Sequence, residues 1–235
     1  MNDLYLIPNS TVLKNLLGIT NEKELDLAEA ELSRANMMLL YENGFSDFSS
    51  SGFCFIHKFL FGDVYEWAGQ YRKINIQKRE ELLAGRSVWY SNVTEIGADL
   101  DKVFAEIKKI DWASLTREDF AKQIARLFPK LWQVHPFREG NTRTTVMMMT
   151  FFVERYGYYF DQNLMAESAG YVRDSFVLAS LGEHSEYEHL EKILLDAICI
   201  EPVDYDVTIV DENQKERYEK YKSKDYTPTK HEYIE

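Results

Sequence analysis

The sequence has 235 residues, 45% of them hydrophobic and 14% aromatic, and a formal net charge of −12. This length and composition predict a globular chain with a substantial core and argue against intrinsic disorder. The negative charge argues against a broad basic surface for nucleic acid or anionic lipid, so any phosphate-binding site has to be local. The two cysteines, Cys54 and Cys199, lack the spacing of a disulfide framework or a zinc site.

No apolar run reaches the roughly 18 residues that a membrane-spanning helix requires. The segment VMMMTFFV, residues 146–153, is apolar but too short. The first residues, MNDLYLIPNS, lack the basic segment and long apolar stretch of a secretory signal. These features predict a cytoplasmic protein that has neither nucleic acid nor a membrane as a partner.

Helical patterns dominate the chain. Residues 22–43 are rich in helix formers, repeat leucine at heptad spacing (Leu25, Leu32 and Leu39) and end at Gly44 in the manner of a C-cap. Further helical patterns cover residues 51–67, 93–109, the segment from Thr116 to Val134, 142–156, 162–182 and 185–199.

One segment has strand character. YRKINIQ, residues 71–77, alternates polar and apolar residues, and SVWYS, residues 87–91, is a second short β-like run. Together they predict one hairpin over about residues 70–91. The expected fold is therefore an all-α domain with a small β-hairpin.

The segment HPFREGNTRTT, residues 135–145, joins two predicted helices. Pro136 disfavours helical geometry at His135, so the first helix should end near Val134. Gly140 and Asn141 tolerate positive φ, and successive amides in such a loop can form a nest for an anion. The helix that begins near Thr142 adds unpaired amides and its positive dipole end.

Three side chains in this segment suit phosphate chemistry. His135 can accept a proton near neutral pH, and Glu139 offers a hard oxygen ligand for Mg²⁺. Arg143 lies in the first helical turn, where a cation opposes the helix dipole unless an anion is bound. Each residue alone has an ordinary structural explanation, but their presence within nine residues favours a phosphotransfer site.

This segment resembles the signature of the Fic family, HxFx(D/E)GNxRxxR. The matching residues are His135, Phe137, Glu139, Gly140, Asn141 and Arg143. The stretch FLFGDVYEWAGQYRKINIQK, residues 59–78, is similar to the family's helix, Trp-Ala-Gly turn and β-hairpin flap. The resemblance implies a Fic domain over residues 1–200 with the flap at about 70–91, the signature loop at 135–146 and an extension at 201–235.

The resemblance also implies an activity, protein adenylyltransfer, in which AMP moves from ATP to a Tyr, Thr or Ser hydroxyl of a protein. His135 would deprotonate that hydroxyl, Glu139 would hold Mg²⁺ on the ATP phosphates, and Arg143 would bind phosphate. Gly140, Asn141 and Thr142 would supply the amide nest, and a buried Phe137 would anchor the loop. The protein substrate, which includes the chain itself among the candidates, would pair with flap residues Lys73, Ile74, Asn75 and Ile76 by β-addition. Homo-oligomerisation is left open.

Two positions depart from the signature. Thr142 replaces a glycine that is frequent in the family, and Val146 replaces the final arginine, which helps to hold the terminal phosphate in AMP-transferring relatives. Doc-type relatives also lack that arginine and transfer the terminal phosphate. Glu139-Gly140-Asn141 favours AMP transfer, because Doc-like sequences have Asp-Ala-Asn. A phosphotransferase of Doc type and a catalytically silent module that captures peptides remain the alternatives.

The tail carries one more match. TIVDEN, residues 208–213, fits the family's inhibitory pattern (S/T)xxxE(G/N) through Thr208, Glu212 and Asn213. The resemblance implies that Glu212 obstructs productive ATP binding. The alternative is that the segment only begins a charged final helix.

Overall fold

The computed structural model describes residues 3–203 of the chain. Within this part, eight α-helices carry most residues: α1 (Glu22–Asn43), α2 (Ser50–Phe61), α3 (Ile96–Lys108), α4 (Arg117–Val134), α5 (Asn141–Arg155), α6 (Gln162–Glu167), α7 (Ala169–Leu178) and α8 (Glu188–Ala197). Two short strands, β1 (Tyr159–Phe160) and β2 (Ile198–Cys199), pair antiparallel. The prediction of an all-α fold is confirmed. None of these helices is long and apolar enough to cross a bilayer.

Local side-chain chemistry sets the helix ends. The Asn21 side chain accepts the Glu24 amide at the start of α1, and Gly44, with φ of 72°, ends the helix as predicted. Thr116 Oγ1 accepts the Asp119 amide at 3.1 Å and caps α4. Helix α2 ends at Phe61, before the predicted residue 67, because residues 62–70 fold into consecutive turns.

The described residues form two compact units. The first contains the described residues up to 76, 91–106 and 134–152, and it includes the whole signature loop. Its interior is aromatic: Phe53 stacks on Phe137 with ring centres 5.7 Å apart, and both side chains are fully buried. Helix α1 packs against α2 within this unit.

The second unit contains 77–90, 107–133 and the described residues from 153 onward. Trp132 stacks on Phe176 with ring centres 5.9 Å apart. Arg117 donates from Nη1 to the carbonyl oxygens of Leu195 at 2.6 Å and Ile198 at 2.9 Å. This guanidinium satisfies acceptors that the end of α8 leaves unpaired within the helix.

The flap differs from the predicted hairpin. Between residues 70 and 91 the chain does reverse, at a 3₁₀ turn, Glu81–Leu83, but no strand is formed in this range. The Glu80 amide donates to the Arg86 carbonyl at 2.9 Å and closes the tip. The described strands lie instead at β1 and β2, far along the sequence.

Side chains rather than a strand ladder hold the first arm of the flap. Arg72 Nη1 donates to the Ile74 carbonyl at 2.8 Å, and Asn75 Oδ1 accepts the Val93 amide at 2.9 Å. The Ile74 carbonyl and the Lys73 amide, which donates to the Tyr5 hydroxyl at 3.0 Å, are thus bound to side chains rather than to a neighbouring strand. Exposure still alternates along residues 73–79, as the sequence pattern predicts for an extended segment.

Candidate active site

The signature loop begins with a left-handed residue. His135 follows α4 directly, has φ of 50° and is only 2% exposed. This conformation is unfavourable for any residue with a Cβ atom. Arg72 holds the two carbonyl groups that follow: its Nε donates to the His135 carbonyl at 2.8 Å, and its amide donates to the Pro136 carbonyl at 2.7 Å. The backbone at His135 and Pro136 is therefore held by a buried arginine that precedes His135 by 63 residues.

Asn141 closes the loop into a ring. Its Oδ1 accepts the Phe137 amide at 3.0 Å, and its Nδ2 donates to the Phe137 carbonyl at 2.9 Å. Phe137 is fully buried, as predicted. Asn141 was expected to tolerate positive φ in the loop, but it is the first residue of α5, and Gly140 alone of the two has positive φ, 81°.

Gly140 lies against Phe61. A Cβ atom at this position would come within 2.5 Å of the Phe61 ring, so both the space and the positive φ require glycine. The tight turn brings the chain directly into the first turn of α5, where helix geometry leaves amides without carbonyl partners inside the helix. Thr142 lies in this turn and is partly exposed. The local geometry thus fits the anion nest that the sequence predicts.

Glu139 is partly exposed, and its Oε1 accepts the Gly140 amide at 3.2 Å. Across residues 3–203 no group of three or more His, Cys, Asp or Glu side chains could hold a metal ion. A single carboxylate is nevertheless compatible with Mg²⁺, which commonly takes its other ligands from substrate phosphates and water. The donor chemistry of the loop therefore fits a magnesium ion that arrives with a nucleotide.

Arg143 has protein partners that the sequence analysis missed. It forms an ion pair with Glu29 of α1, donates from Nη1 to Ser33 Oγ at 2.8 Å, and lies 4.6 Å from the centre of the Phe61 ring. The Tyr65 hydroxyl also donates to Glu29, and burial together with this carboxylate raises the pKa of Tyr65. The sequence contained one indication of this polar site, because Glu29 and Ser33 are four residues apart and therefore share one face of α1.

The structure brings the predicted signature residues together in one unit. His135, Glu139, Gly140, Asn141, Thr142 and Arg143 lie along a single turn and helix start. Lys73, Ile74, Asn75 and Ile76 belong to the same unit and follow Arg72, which binds the loop. The predicted inhibitory residues Thr208, Glu212 and Asn213 lie outside the described residues.

Known proteins resemble this chain in sequence and in fold. The family model described as Fic/DOC matches residues 47–153. A Bartonella henselae protein named protein adenylyltransferase is 32% identical over 79% of this chain and 36% of its own length. A Sinorhizobium fredii protein named probable protein adenylyltransferase is 31% identical over 69% of this chain and 81% of its own length. The chain belongs to the Fic/DOC family.

The chain spans about a third of the length of the Bartonella henselae relative and of the Bartonella schoenbuchensis protein adenylyltransferase VbhT. Among solved structures, the ADP-bound Fic domain of a Bep effector from Bartonella quintana has a TM-score of 0.68 and 25% identity, with 83% of this chain and 94% of that chain covered. AMPPNP-bound BepC from Bartonella tribocorum has a TM-score of 0.71 at 20% identity, with 85% and 97% covered, and shows the shared fold.

Proposed function

We propose that the chain is a protein adenylyltransferase that moves AMP from ATP to a Tyr, Thr or Ser hydroxyl of a protein. The observation that carries the proposal is one fixed turn that holds a buried histidine, a carboxylate and an arginine within nine residues. The names of the curated relatives support this activity, and the bound ADP of a structural neighbour supports a nucleotide site. A reaction that consumes ATP suits the predicted cytoplasmic location.

In this reaction, His135 accepts the proton of the target hydroxyl. The hydroxyl oxygen attacks the α-phosphorus, the bond from that phosphorus to the β-phosphate oxygen breaks, and pyrophosphate leaves. The loop contributes mainly by position and electrostatics, because the His135 and Pro136 carbonyls are bound to Arg72 before any substrate arrives.

The nucleotide site follows from the same turn. The amides of Gly140, Asn141 and Thr142 would face the phosphate charge, that of Gly140 once it exchanges its contact with Glu139 Oε1 for a phosphate oxygen, and Arg143 adds a guanidinium in the first turn of α5. Glu139 would hold Mg²⁺, which neutralises phosphate charge when bound. The contacts of Arg143 with Glu29 and Ser33 involve Nη1 and Nη2, and its side chain is 32% exposed, so phosphate can still approach it.

The flap supports recognition of an extended protein segment. Lys73 and Asn75 are exposed, while Ile74 and Ile76 are partly covered. This alternation is that of a strand, yet no strand of the described chain pairs with residues 73–77. A segment of the protein substrate that adds here would pair with peptide groups other than the Lys73 amide and the Ile74 carbonyl, which Tyr5 and Arg72 bind, and would bring its hydroxyl side chain to the loop.

One observation favours a second candidate. Val146 occupies the position of the final signature arginine, so the chain lacks one cation for the terminal phosphate. A Doc-like phosphotransferase, which delivers that phosphate instead of AMP, would be consistent with this departure. Glu139-Gly140-Asn141 and the names of the relatives favour AMP transfer.

The decisive experiment incubates the full chain, with and without a bacterial lysate as a source of protein hydroxyls, with ATP labelled at either the α or the γ phosphate. Label from the α position supports AMP transfer, label from the γ position supports the Doc-like reaction, and neither supports a silent binding module. His135→Ala should abolish labelling, whereas the matched change His184→Ala, at a partly exposed histidine of the second unit, should not.

Inhibition by the tail is a separate proposal that rests on the sequence pattern alone. If Glu212 obstructs ATP, then Glu212→Gly should raise the rate of α-label transfer severalfold. The neighbouring change Glu216→Gly should leave that rate unaltered. Equal rates in wild type and Glu212→Gly would remove the inhibitory assignment.

A further inference from the structure

His57 joins two segments that are far apart in sequence. It lies on α2 and is fully buried. Its Nδ1 accepts the Gly69 amide at 2.8 Å, and its Nε2 is 3.0 Å from the carbonyl oxygen of Glu139. One imidazole thus connects the Trp67-Ala68-Gly69 turn to the signature loop.

These two contacts fix the tautomer of the ring. A backbone amide can only donate, so Nδ1 has to be the acceptor, and the proton of a neutral imidazole has to be on Nε2. A backbone carbonyl can only accept, so Nε2–H donates to Glu139. Burial lowers the pKa of His57 to about 3, which keeps the ring neutral at physiological pH.

Gly69 makes this contact sterically feasible. It has φ of 78°, and a Cβ atom there would lie 2.7 Å from Lys58 Cβ and 3.0 Å from the Cys54 carbonyl oxygen. Only glycine allows the turn to approach α2 this closely. The Trp-Ala-Gly turn therefore places the Gly69 amide within hydrogen-bonding distance of His57 Nδ1.

The ring is also confined by aromatic packing. It stacks on Phe137 with centres 3.8 Å apart and lies 4.8 Å from the Phe61 ring centre. The bond at Nδ1 and the two aromatic rings packed against it hold the imidazole in one orientation. The Nε2–H donor of His57 is therefore in position before the Glu139 carbonyl binds to it.

The Nε2–H group of His57 fixes the orientation of the Glu139–Gly140 peptide plane. In a trans peptide the carbonyl of Glu139 and the amide of Gly140 point in opposite directions. Because the carbonyl is directed at His57, the Gly140 amide is directed away from it, toward the side on which Glu139 Oε1 lies. The same peptide therefore determines where the first amide of the nest and the carboxylate are presented.

We propose that His57 is a positioning residue for the transfer reaction, because its Nε2–H bond to the Glu139 carbonyl orients the Glu139–Gly140 peptide toward the nucleotide phosphates. The inference rests on the proposed function, since it assigns to this peptide a role in holding ATP. His57 acts through the loop and does not touch the reacting atoms.

Two isosteric variants separate its two hydrogen bonds. His57→Gln places an amide nitrogen where Nε2 lies and retains a donor for Glu139, but it loses the acceptor for Gly69. His57→Asn places a carbonyl oxygen where Nδ1 lies and retains the acceptor, but it loses the donor. We expect His57→Asn to lower kcat/KM for α-label transfer about 100-fold and His57→Gln to stay within about tenfold of wild type. Ile56→Ala, at the adjacent buried position, controls for lost stability and should keep the wild-type nucleotide affinity.

Two measurements test the positioning role of His57 without relying on AMP transfer. Nitrogen-15 spectra of the full chain should show the proton of His57 on Nε2, and the Gly140 amide resonance should move more in His57→Asn than in His57→Gln. The affinity for magnesium AMPPNP, measured by calorimetry, should fall about tenfold in His57→Asn alone. Equal losses in both variants, or a proton on Nδ1, would overturn the positioning role. A wild-type chain that binds AMPPNP with this pattern but transfers no label would instead contradict the proposed function.

Discussion

Arg143, in the first turn of α5, is paired with Glu29 of α1. A cation at a helix N-terminus is unfavourable, because the amides there already present positive charge. Glu29 supplies the compensating anion within the protein, so Arg143 is stable before any phosphate is bound. The pair also orients the guanidinium, which the Ser33 hydroxyl and the Phe61 ring hold from other sides.

We expect Glu29→Gln to lower the free energy of unfolding by about 2 kcal/mol, because it removes the charge that compensates Arg143 in a largely buried setting. Urea unfolding of the full chain measures this change. Glu31→Gln is the matched control, since Glu31 is exposed on the same helix and should change stability by less than about 0.5 kcal/mol. Equal effects of the two substitutions would show that the pair contributes nothing beyond a surface charge.

The close approach of Gly140 to Phe61 gives a second prediction. Gly140→Ala should cost about 1–2 kcal/mol for the left-handed backbone and a further 1–3 kcal/mol for displacement of the ring. Gly157 has φ of 84° and open space where a Cβ atom would lie, so Gly157→Ala should cost only the first amount. Thermal unfolding of both variants separates the steric cost at Gly140 from the backbone cost. Similar losses of stability in the two variants would mean that the Phe61 ring moves aside at no cost. Activity should fall at least 100-fold in Gly140→Ala only.

Arg72 provides the third prediction, because its guanidinium binds three carbonyl groups, those of His135, Ile74 and Ser91. A lysine keeps the charge but cannot span three acceptors. Arg72→Lys should therefore destabilise the chain by about 3 kcal/mol and lower α-label transfer more than tenfold. The exposed Arg155 at the end of α5 is the control, and Arg155→Lys should be neutral. A fully active Arg72→Lys enzyme would show that His135 needs no such support.

The buried imidazole of His57 predicts a pH dependence of stability. Burial lowers its pKa from 6.5 to about 3, so between these values the unfolded chain binds a proton that the folded chain does not. Stability is therefore complete above pH 6.5 and falls as the pH falls toward 3, by about 1 kcal/mol between pH 6 and pH 5 from this residue. Urea unfolding at several pH values measures the slope. His57→Gln lacks the titrating group, and an unchanged slope in that variant would contradict the assignment.

Helix positions were predictable because capping residues and apolar periodicity act locally. Gly44 ends α1 and Thr116 begins α4 where the sequence indicated. The leucine heptad of α1, by contrast, does not mark its buried face. Leu39 is 51% exposed, whereas the helix buries Leu25, Glu29, Ser33 and Leu40. Because Glu29 and Ser33 are polar, the apolar pattern of the sequence does not reveal this face. Their burial depends on Arg143, which is 110 or more residues away.

The signature loop was predictable as a local motif, and its chemistry was read from residue types alone. Its supports were not, because Arg72, His57 and Glu29 come from distant segments. The flap was predicted as a hairpin from its alternating residues. Alternation specifies an extended chain but not a ladder, which also needs unoccupied peptide groups on a neighbouring arm.

The left-handed backbone at His135 has a consequence for protein engineering. Residues 135–145 do not form an independent structural unit, since the two peptide groups that follow the His135 Cα are bound to Arg72 and the next turn is bound to His57. Grafted by itself onto another pair of helices, the segment would relax to a right-handed conformation and aim its imidazole elsewhere. A successful transplant would have to carry α2 and the residues through Arg72 along with it.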